Sequence, residues 1–192
     1  GDALGASHGW YLSIKNNKAL NDELNNFMSK YDTFSLGVCN GCQLMVKQKI
    51  FGSRLNLVEN DSKRFESRFS TVKIIESNNI FFKNMENMVF GIWVAHGEGK
   101  FINVDSLYKC EKVLKYTHQY TNDNKLEYPY NPNGSEEDLA GVCFNGRHLA
   151  MMPHPERCFM KWQLPYLGEY DKILESPWLM MFKNIYDWCS TN

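Results

Sequence analysis

Phe34-Ser35-Leu36-Gly37-Val38-Cys39-Asn40-Gly41-Cys42-Gln43 divides at Cys39 into two kinds of chain. Phe34 to Val38 is a short, mostly apolar run of strand length, and from Asn40 the pattern turns helical until Gly52 offers a C-terminal stop. Strand, tight turn and helix in that order, with glycine two residues either side of a cysteine, have the G-x-nucleophile-x-G form of a nucleophile elbow. A sharp turn brings the flanking backbones together, so the expectation is that side chains at both Gly37 and Gly41 would collide. The turn also sets the sulfur at a helix N-terminus, where the dipole favours negative charge and backbone N–H groups face an oxyanion, the Asn40 N–H first among them.

The same residues support two other readings. Cys39-Asn40-Gly41-Cys42 is a C-x-x-C after a strand and at a helix start, as in thiol-disulfide oxidoreductases. A zinc site from Cys39, Cys42, Cys143 and Cys158 lacks a second close-spaced pair. The segment that favours the nucleophile is Met151-Met152-Pro153-His154-Pro155-Glu156-Arg157, behind an apolar strand. Proline after His154 biases that residue to extended geometry, in which positions i and i+2 project to the same side. A thiol nucleophile needs a base, and the base needs a group that fixes its tautomer, so Cys39, His154 and Glu156 are the candidate triad. Ala95-His96-Gly97-Glu98-Gly99 ends the most apolar run, where ligand loops of α/β sheets gather. His8, His118 and His148 carry no partner pattern, and Arg64, Glu66 and Arg68 read as a solvated stretch of alternating charge.

Upstream of this turn, Leu20, Leu24, Phe27 and Met28 recur at helical spacing between Lys18 and Lys30. Strands are expected at Val72–Ile75, Met88–Ala95, Leu139–Phe144 and Leu149–Met152, the second continuous enough to be buried on both faces. A last helix starts at Ser176 and Pro177, with Trp178, Met181, Phe182, Ile185 and Trp188 on one core-facing side. Tyr120 to Asp138, rich in Asn and Pro, reads as loop. These elements predict an α/β fold around a central, mostly parallel sheet. Such a sheet needs strands on both sides of its nucleophile, yet only helix and loop precede Phe34, so the chain is expected to begin inside its domain.

The 192 residues, 43% hydrophobic, suit a single domain over 1–192. A net charge of -1 from 21 basic and 22 acidic residues, mixed along the chain, provides no basic stripe for nucleic acid, which points to a small substrate. Six cysteines in so apolar a chain are expected to be free thiols in a reducing compartment. No apolar run approaches the roughly 18–20 residues of a membrane span and the start carries no leader pattern, so a cytoplasmic location is expected.

With the triad in place, the chain resembles the C-terminal glutaminase domain of the phosphoribosylformylglycinamidine synthase family, within the class I, triad-type glutamine amidotransferases. The resemblance rests on seven blocks in family order: residues 1–6, Gly37 to Gln43, Arg64 to Ser70, Ala95 to Gly99, Asn131 to Ser135, Met151 to Arg157 and Ser176 to Trp178. It implies a three-layer, flavodoxin-like fold. It places the family's nucleophile on Cys39, its histidine on His154 and its acid on Glu156, leaves Cys42 a bystander, and matches Gln43, His96 and Gly97 to segments that line a glutamine pocket. The implied reaction is thiolate attack on the glutamine carboxamide, protonation of the departing ammonia by His154, and hydrolysis of a glutamyl thioester. Ammonia then passes to a synthetase region, fused or separate, where ATP and magnesium activate formylglycinamide ribonucleotide. No Gly-rich phosphate loop or metal-ligand cluster stands in this sequence, so no cofactor or metal is expected here. Ala6-Ser7-His8-Gly9 departs from the family's more usual Gly-x-Gly, and the family's opening strands and the turn with its second oxyanion donor precede position 1. Losing such a donor costs about 100- to 1,000-fold in rate, so the isolated chain is expected to turn over little, or to serve only as a docking remnant through its 131–135 loop.

Overall fold

The computed structural model describes residues 5–118, 126–165 and 175–191. Helices α1 (His8–Lys15) and α2 (Lys18–Ser29) lead into β1 (Ser35–Val38) and α3 (Asn40–Lys47). Strands β2 (Asn56–Val58), β3 (Glu66–Ile74), β4 (Val89–His96), β5 (Lys100–Ile102), β6 (Cys110–Tyr116), β7 (Leu139–Phe144) and β8 (His148–Met151) follow, and α4 (Trp178–Thr191) closes the described chain. The α2 stripe folds as expected: Asn17 caps it by accepting from the Leu20 N–H, and Met28 is buried against the sheet. At the other end the Ser176 hydroxyl accepts from the Trp178 N–H, and Trp178, Met181 and Ile185 turn inward.

Six strands form one sheet in the order β1-β8-β7-β6-β3-β4, with β2 and β5 paired separately. The α/β class stands, but the mostly parallel sheet does not. Only β1 and β8 run parallel, while β8-β7, β7-β6, β6-β3 and β3-β4 are all antiparallel. The cause is local: Asn145 and Gly146, both at positive φ, join β7 to β8 through a tight turn, and a short turn admits only antiparallel neighbours. The run at 88–95 is also not buried on both faces. It lies at the sheet edge as β4, where Ile92, Val94 and His96 face inward and their neighbours are more exposed.

Two apolar clusters flank the sheet. Val72, Ile92, Val94, Leu114 and Met151 pack with α4, and Met45, Val46, Phe51, Phe101 and Met152 pack on the α3 side. α3 ends at Lys47, earlier than the Gly52 stop, because Lys49 already takes positive φ. Of the loop expected at 120–138, residues 126–138 hold only turns and a short 3-10 segment; the remainder, like residues 1–4 of the first family block, lies outside the described residues. No described helix is long and apolar enough to cross a membrane.

Candidate active site

Cys39 sits between β1 and α3 at φ 52 and ψ -103, a conformation disfavoured for any side chain with a Cβ. Its N–H donates to the Met151 carbonyl at 2.9 Å, tying the turn to the end of β8. The two flanking glycines are not equivalent. A Cβ on Gly37 would come within 2.8 Å of the Gly41 backbone, whereas one on Gly41 meets nothing within 4 Å. The close approach therefore requires glycine on the strand side only, a correction to the expected symmetry. Asn40 opens α3, so its N–H is among the first-turn amides without an acceptor inside the helix, and its carbonyl is bound by the Ser7 hydroxyl.

β8 runs parallel to β1, so the chain leaving β8 arrives beside Cys39. There His154 is pinned by its N–H to the Trp93 carbonyl at 2.8 Å, across to the opposite edge strand. The sheet is thus curled enough for its two ends to meet, and the Cys39 thiol lies 3.5 Å from the Ala95 carbonyl on the same strand β4. His154 is only partly extended, at ψ 88, and a 3-10 turn over Pro155–Arg157 completes the reversal. The His154 Nδ1 and Glu156 Oε1 atoms lie 2.6 Å apart.

His154 Nε2 makes no hydrogen bond within normal limits, but it is close enough to Cys39 to feel its charge. Burial disfavours the imidazolium; interactions with Cys39 and Glu156 outweigh it and lift the pKa to about 9. Glu156 is subject to the same contest, in which the pairing with His154 prevails over burial and lowers its pKa. His96, one residue beyond Ala95, is 2% exposed, and burial with the nearby His154 pushes its pKa down to about 4. It is a neutral imidazole whose two ring nitrogens both lack partners.

The turn that carries His96 and Gly97 is held by side-chain amides. Gln43 Nε2 donates to the Glu98 carbonyl at 2.7 Å, leaving its own Oε1 buried and unpaired. Asn60 donates to the His96 carbonyl and accepts from the Gly99 N–H, and Asn133 donates to the Gly99 carbonyl. Gly99 must lack a side chain, since a Cβ would stand 2.6 Å from His96 Nδ1. The structure therefore brings Cys39, Asn40, Gln43, His96, Gly97, His154 and Glu156 to one place. Asn60 and Asn133 are the supporting residues that sequence reasoning missed, although the 131–135 block held the signal. That block is not an exposed docking loop, because Asn131, Asn133 and Ser135 are buried and hydrogen-bonded inside the protein.

The alternative readings of the cysteines and the charged stretch at 64–68 remain. All six cysteines are free thiols, but Cys42 is fully buried in the α3-side cluster and burial raises its pKa well above the usual thiol value, which leaves the C-x-x-C without an accessible second sulfur. Among the described residues no group of three or more metal-ligating side chains converges. Glu66 is 3% exposed, not solvated, because the curl of the sheet covers the end of β3.

A family model described as a CobB/CobQ-like glutamine amidotransferase domain matches residues 1–189. The chain is 41% identical to a phosphoribosylformylglycinamidine synthase from Drosophila melanogaster over 98% of its own length and 15% of that protein. It is also 41% identical to a probable chloroplastic/mitochondrial phosphoribosylformylglycinamidine synthase from Arabidopsis thaliana, over 97% and 15% of the two chains. The chain thus spans about one seventh of the length of these curated relatives. In fold it is similar to the solved structure of PurLQS from Thermotoga maritima, with a TM-score of 0.67 at 21% identity over 92% of this chain and 71% of that one.

Proposed function

The chain belongs to the CobB/CobQ-like glutamine amidotransferase family, and from that premise we propose that Cys39, His154 and Glu156 are the triad with which it releases ammonia from glutamine. The observation that carries the assignment is the 2.6 Å contact between Glu156 Oε1 and His154 Nδ1, which leaves Nε2 of the same ring for Cys39 at a strained strand-to-helix turn. A histidine so held has one tautomer and one orientation when neutral, and a stabilised imidazolium when charged.

The steps follow from these positions. The Cys39 thiolate adds to the glutamine side-chain carbonyl carbon, and the resulting oxyanion is received by the Asn40 N–H at the start of α3. His154, an imidazolium through neutral pH, gives its proton to the departing nitrogen, so ammonia leaves and a glutamyl thioester remains on Cys39. The now neutral His154 takes a proton from water, hydroxide cleaves the thioester, and glutamate leaves last. Gln43, His96 and the Gly97 backbone line the glutamine pocket. The unpaired Gln43 Oε1 and His96 nitrogens support this placement, since buried polar atoms without partners are costly unless a ligand completes them.

The names of the relatives support a wider role in purine biosynthesis. The ammonia serves a synthetase region, on the same or a separate chain, that uses ATP and magnesium to turn formylglycinamide ribonucleotide into formylglycinamidine ribonucleotide. A glutamine-analogue electrophile tests the core assignment in the full-length protein. It labels Cys39 in the parent, and His154→Ala abolishes glutamine hydrolysis. Labelling of another residue, or parental hydrolysis by the His154 variant, refutes the triad.

A further inference from the structure

The segment that leads into the fold buries almost nothing. Among described residues 5–27 a single one is buried, and it is a serine: Ser7, with 0% of its surface exposed. Helix α1 follows directly and buries none of its own side chains, so apolar packing does not hold this segment against the elbow. Ser7 is also kept in a conformation that its side chain disfavours. Its φ of 59 and ψ of 18 lie in the left-handed region, and Ala6 before it shares that region at φ 45. Two successive residues that carry a Cβ persist there only when their surroundings compensate.

The compensation is not the usual one. Ser7 stands at the N-cap of α1, where a serine oxygen ordinarily accepts from an N–H of the first turn. Its carbonyl does accept from the Tyr11 N–H at 3.0 Å, but its hydroxyl makes no cap bond. The hydroxyl donates instead to the Asn40 carbonyl, 33 residues along the chain. Asn40 is the residue whose N–H receives the oxyanion in the steps above. The Cys39–Asn40 peptide, which carries that N–H, therefore lies between two anchors: the Cys39 N–H on the Met151 carbonyl at 2.9 Å, and the Asn40 carbonyl on Ser7. Cys39 is strained at φ 52 and ψ -103, and relaxing it turns the same peptide and moves the N–H. The serine thus forgoes capping its own helix beside a strained nucleophile, and what it gains is a fixed start to α3.

We propose that Ser7 is a positioning residue for the oxyanion donor: its hydroxyl holds the Asn40 carbonyl, so that the Asn40 N–H stays aimed at the carbonyl oxygen of the substrate amide. The proposal rests on the glutaminase reading above. Ser7→Gly separates this role from folding, because it removes the hydroxyl while suiting a φ of 59. In the full-length protein this variant unfolds at the parent's denaturant midpoint, yet its kcat for glutamine hydrolysis falls about tenfold at unchanged KM. That is part of the roughly 100- to 1,000-fold that loss of a whole oxyanion donor costs. The γ-aldehyde of glutamate supplies a second readout. The Cys39 thiolate adds to its carbonyl carbon, the π pair moves onto oxygen, and the adduct presents an oxyanion to Asn40, whereas glutamate forms no adduct. Affinity for the aldehyde falls about tenfold, in step with kcat, and affinity for glutamate is unchanged. Ser7→Ala, which keeps a Cβ at the strained position, is less stable than Ser7→Gly but shows the same two losses. Parental kcat and aldehyde affinity in Ser7→Gly overturn the role, as do losses that affect glutamate and the aldehyde alike or that follow the stabilities of the two variants. A parent protein that neither releases ammonia from glutamine nor forms the aldehyde adduct overturns the glutaminase reading itself, and the role of Ser7 with it.

Discussion

Replacing Gly37 by alanine adds one methyl group at the strand side of the turn, and the surroundings leave no room for it. Its Cβ would lie 2.5 Å from Met45 Sδ, the yielding end of a flexible side chain, and 2.8 Å from both the Gly41 carbon and oxygen, which are helix backbone. Ordinary contact begins near 3.4 Å, so β1 and the first turn of α3 must separate by about 0.6 Å even after Met45 has moved. Overpacking of that kind costs about 1–3 kcal/mol. Cys39 lies between the two displaced elements, and misplacing a reacting group by about 1 Å costs on the order of 100-fold, so a loss of about tenfold or more in kcat/KM for glutamine accompanies the destabilisation. Gly41→Ala is the internal control for stability. It places a methyl in open space on a helix, where alanine is favoured over glycine, and raises stability by about 0.5 kcal/mol. Denaturant melts of both variants read the contrast. If Gly37→Ala unfolds within 0.5 kcal/mol of the parent, or if Gly41→Ala is the more damaging change, steric closure is not what the elbow requires.

The His154 pKa of about 9 against 6.5 for an unperturbed imidazole carries a sign: its stabilisation is complete below about pH 6.5 and is lost as pH rises through 9. Glu156→Gln is expected to lower the midpoint of the His154 ring titration followed by NMR, and to flatten the decline in stability between pH 6.5 and 9.5; superimposable titrations would exclude Glu156 as the cause. Cys42→Ser, which places a hydroxyl among apolar neighbours, is expected to cost about 1–2 kcal/mol while Cys39 is still labelled by a glutamine-analogue electrophile; loss of labelling would restore the dithiol reading. Asn60→Ala removes donors to the Arg64 and His96 carbonyls and the acceptor for the Gly99 N–H, and is expected to destabilise by about 2–4 kcal/mol; a thermal or denaturant shift worth less than 1 kcal/mol would show that water replaces the amide.

The elbow and the His-x-Glu segment were legible in the sequence because each is local: a strand, a turn and a few residues contain the whole geometry. β1, α2, β7, β8 and α4 were legible for the same reason, since each carries its own apolar pattern over at least one turn or strand length. What escaped depends on distant chain. β2 and β5 are three residues each, too short to show a period, and they exist by pairing with one another across about forty residues. Strand β6, Cys110-Glu111-Lys112-Val113-Leu114-Lys115-Tyr116, is interrupted by register shifts at 112–115 that break its alternation. Glu66 looked solvated because two arginines flank it, and only the curl that brings β4 around shows which face of β3 is closed. α1 has no buried residue at all, so its sequence has no stripe to read.

The curl also explains how one site draws on residues far apart in sequence. In a flat sheet of this strand order β1 and β4 would lie at opposite edges, five strand spacings of about 4.8 Å apart. Here the Trp93 and Ala95 carbonyls of β4 reach the His154 N–H and the Cys39 thiol, which places the proposed nucleophile and its proposed base on the seam where the two edges converge. A seam needs reinforcement, because these edges are not joined by a continuous ladder; among the described residues it consists of the single Trp93-His154 bridge and side-chain contacts. Gln43, Asn60 and Asn133 supply that reinforcement by fixing the turn at 96–99 from three directions, and Glu156 holds the base from the other side. On the proposed triad, the buried amides need not touch the reacting atoms: they fix the turn that follows β4 and so hold the edge against which Cys39 and His154 are set.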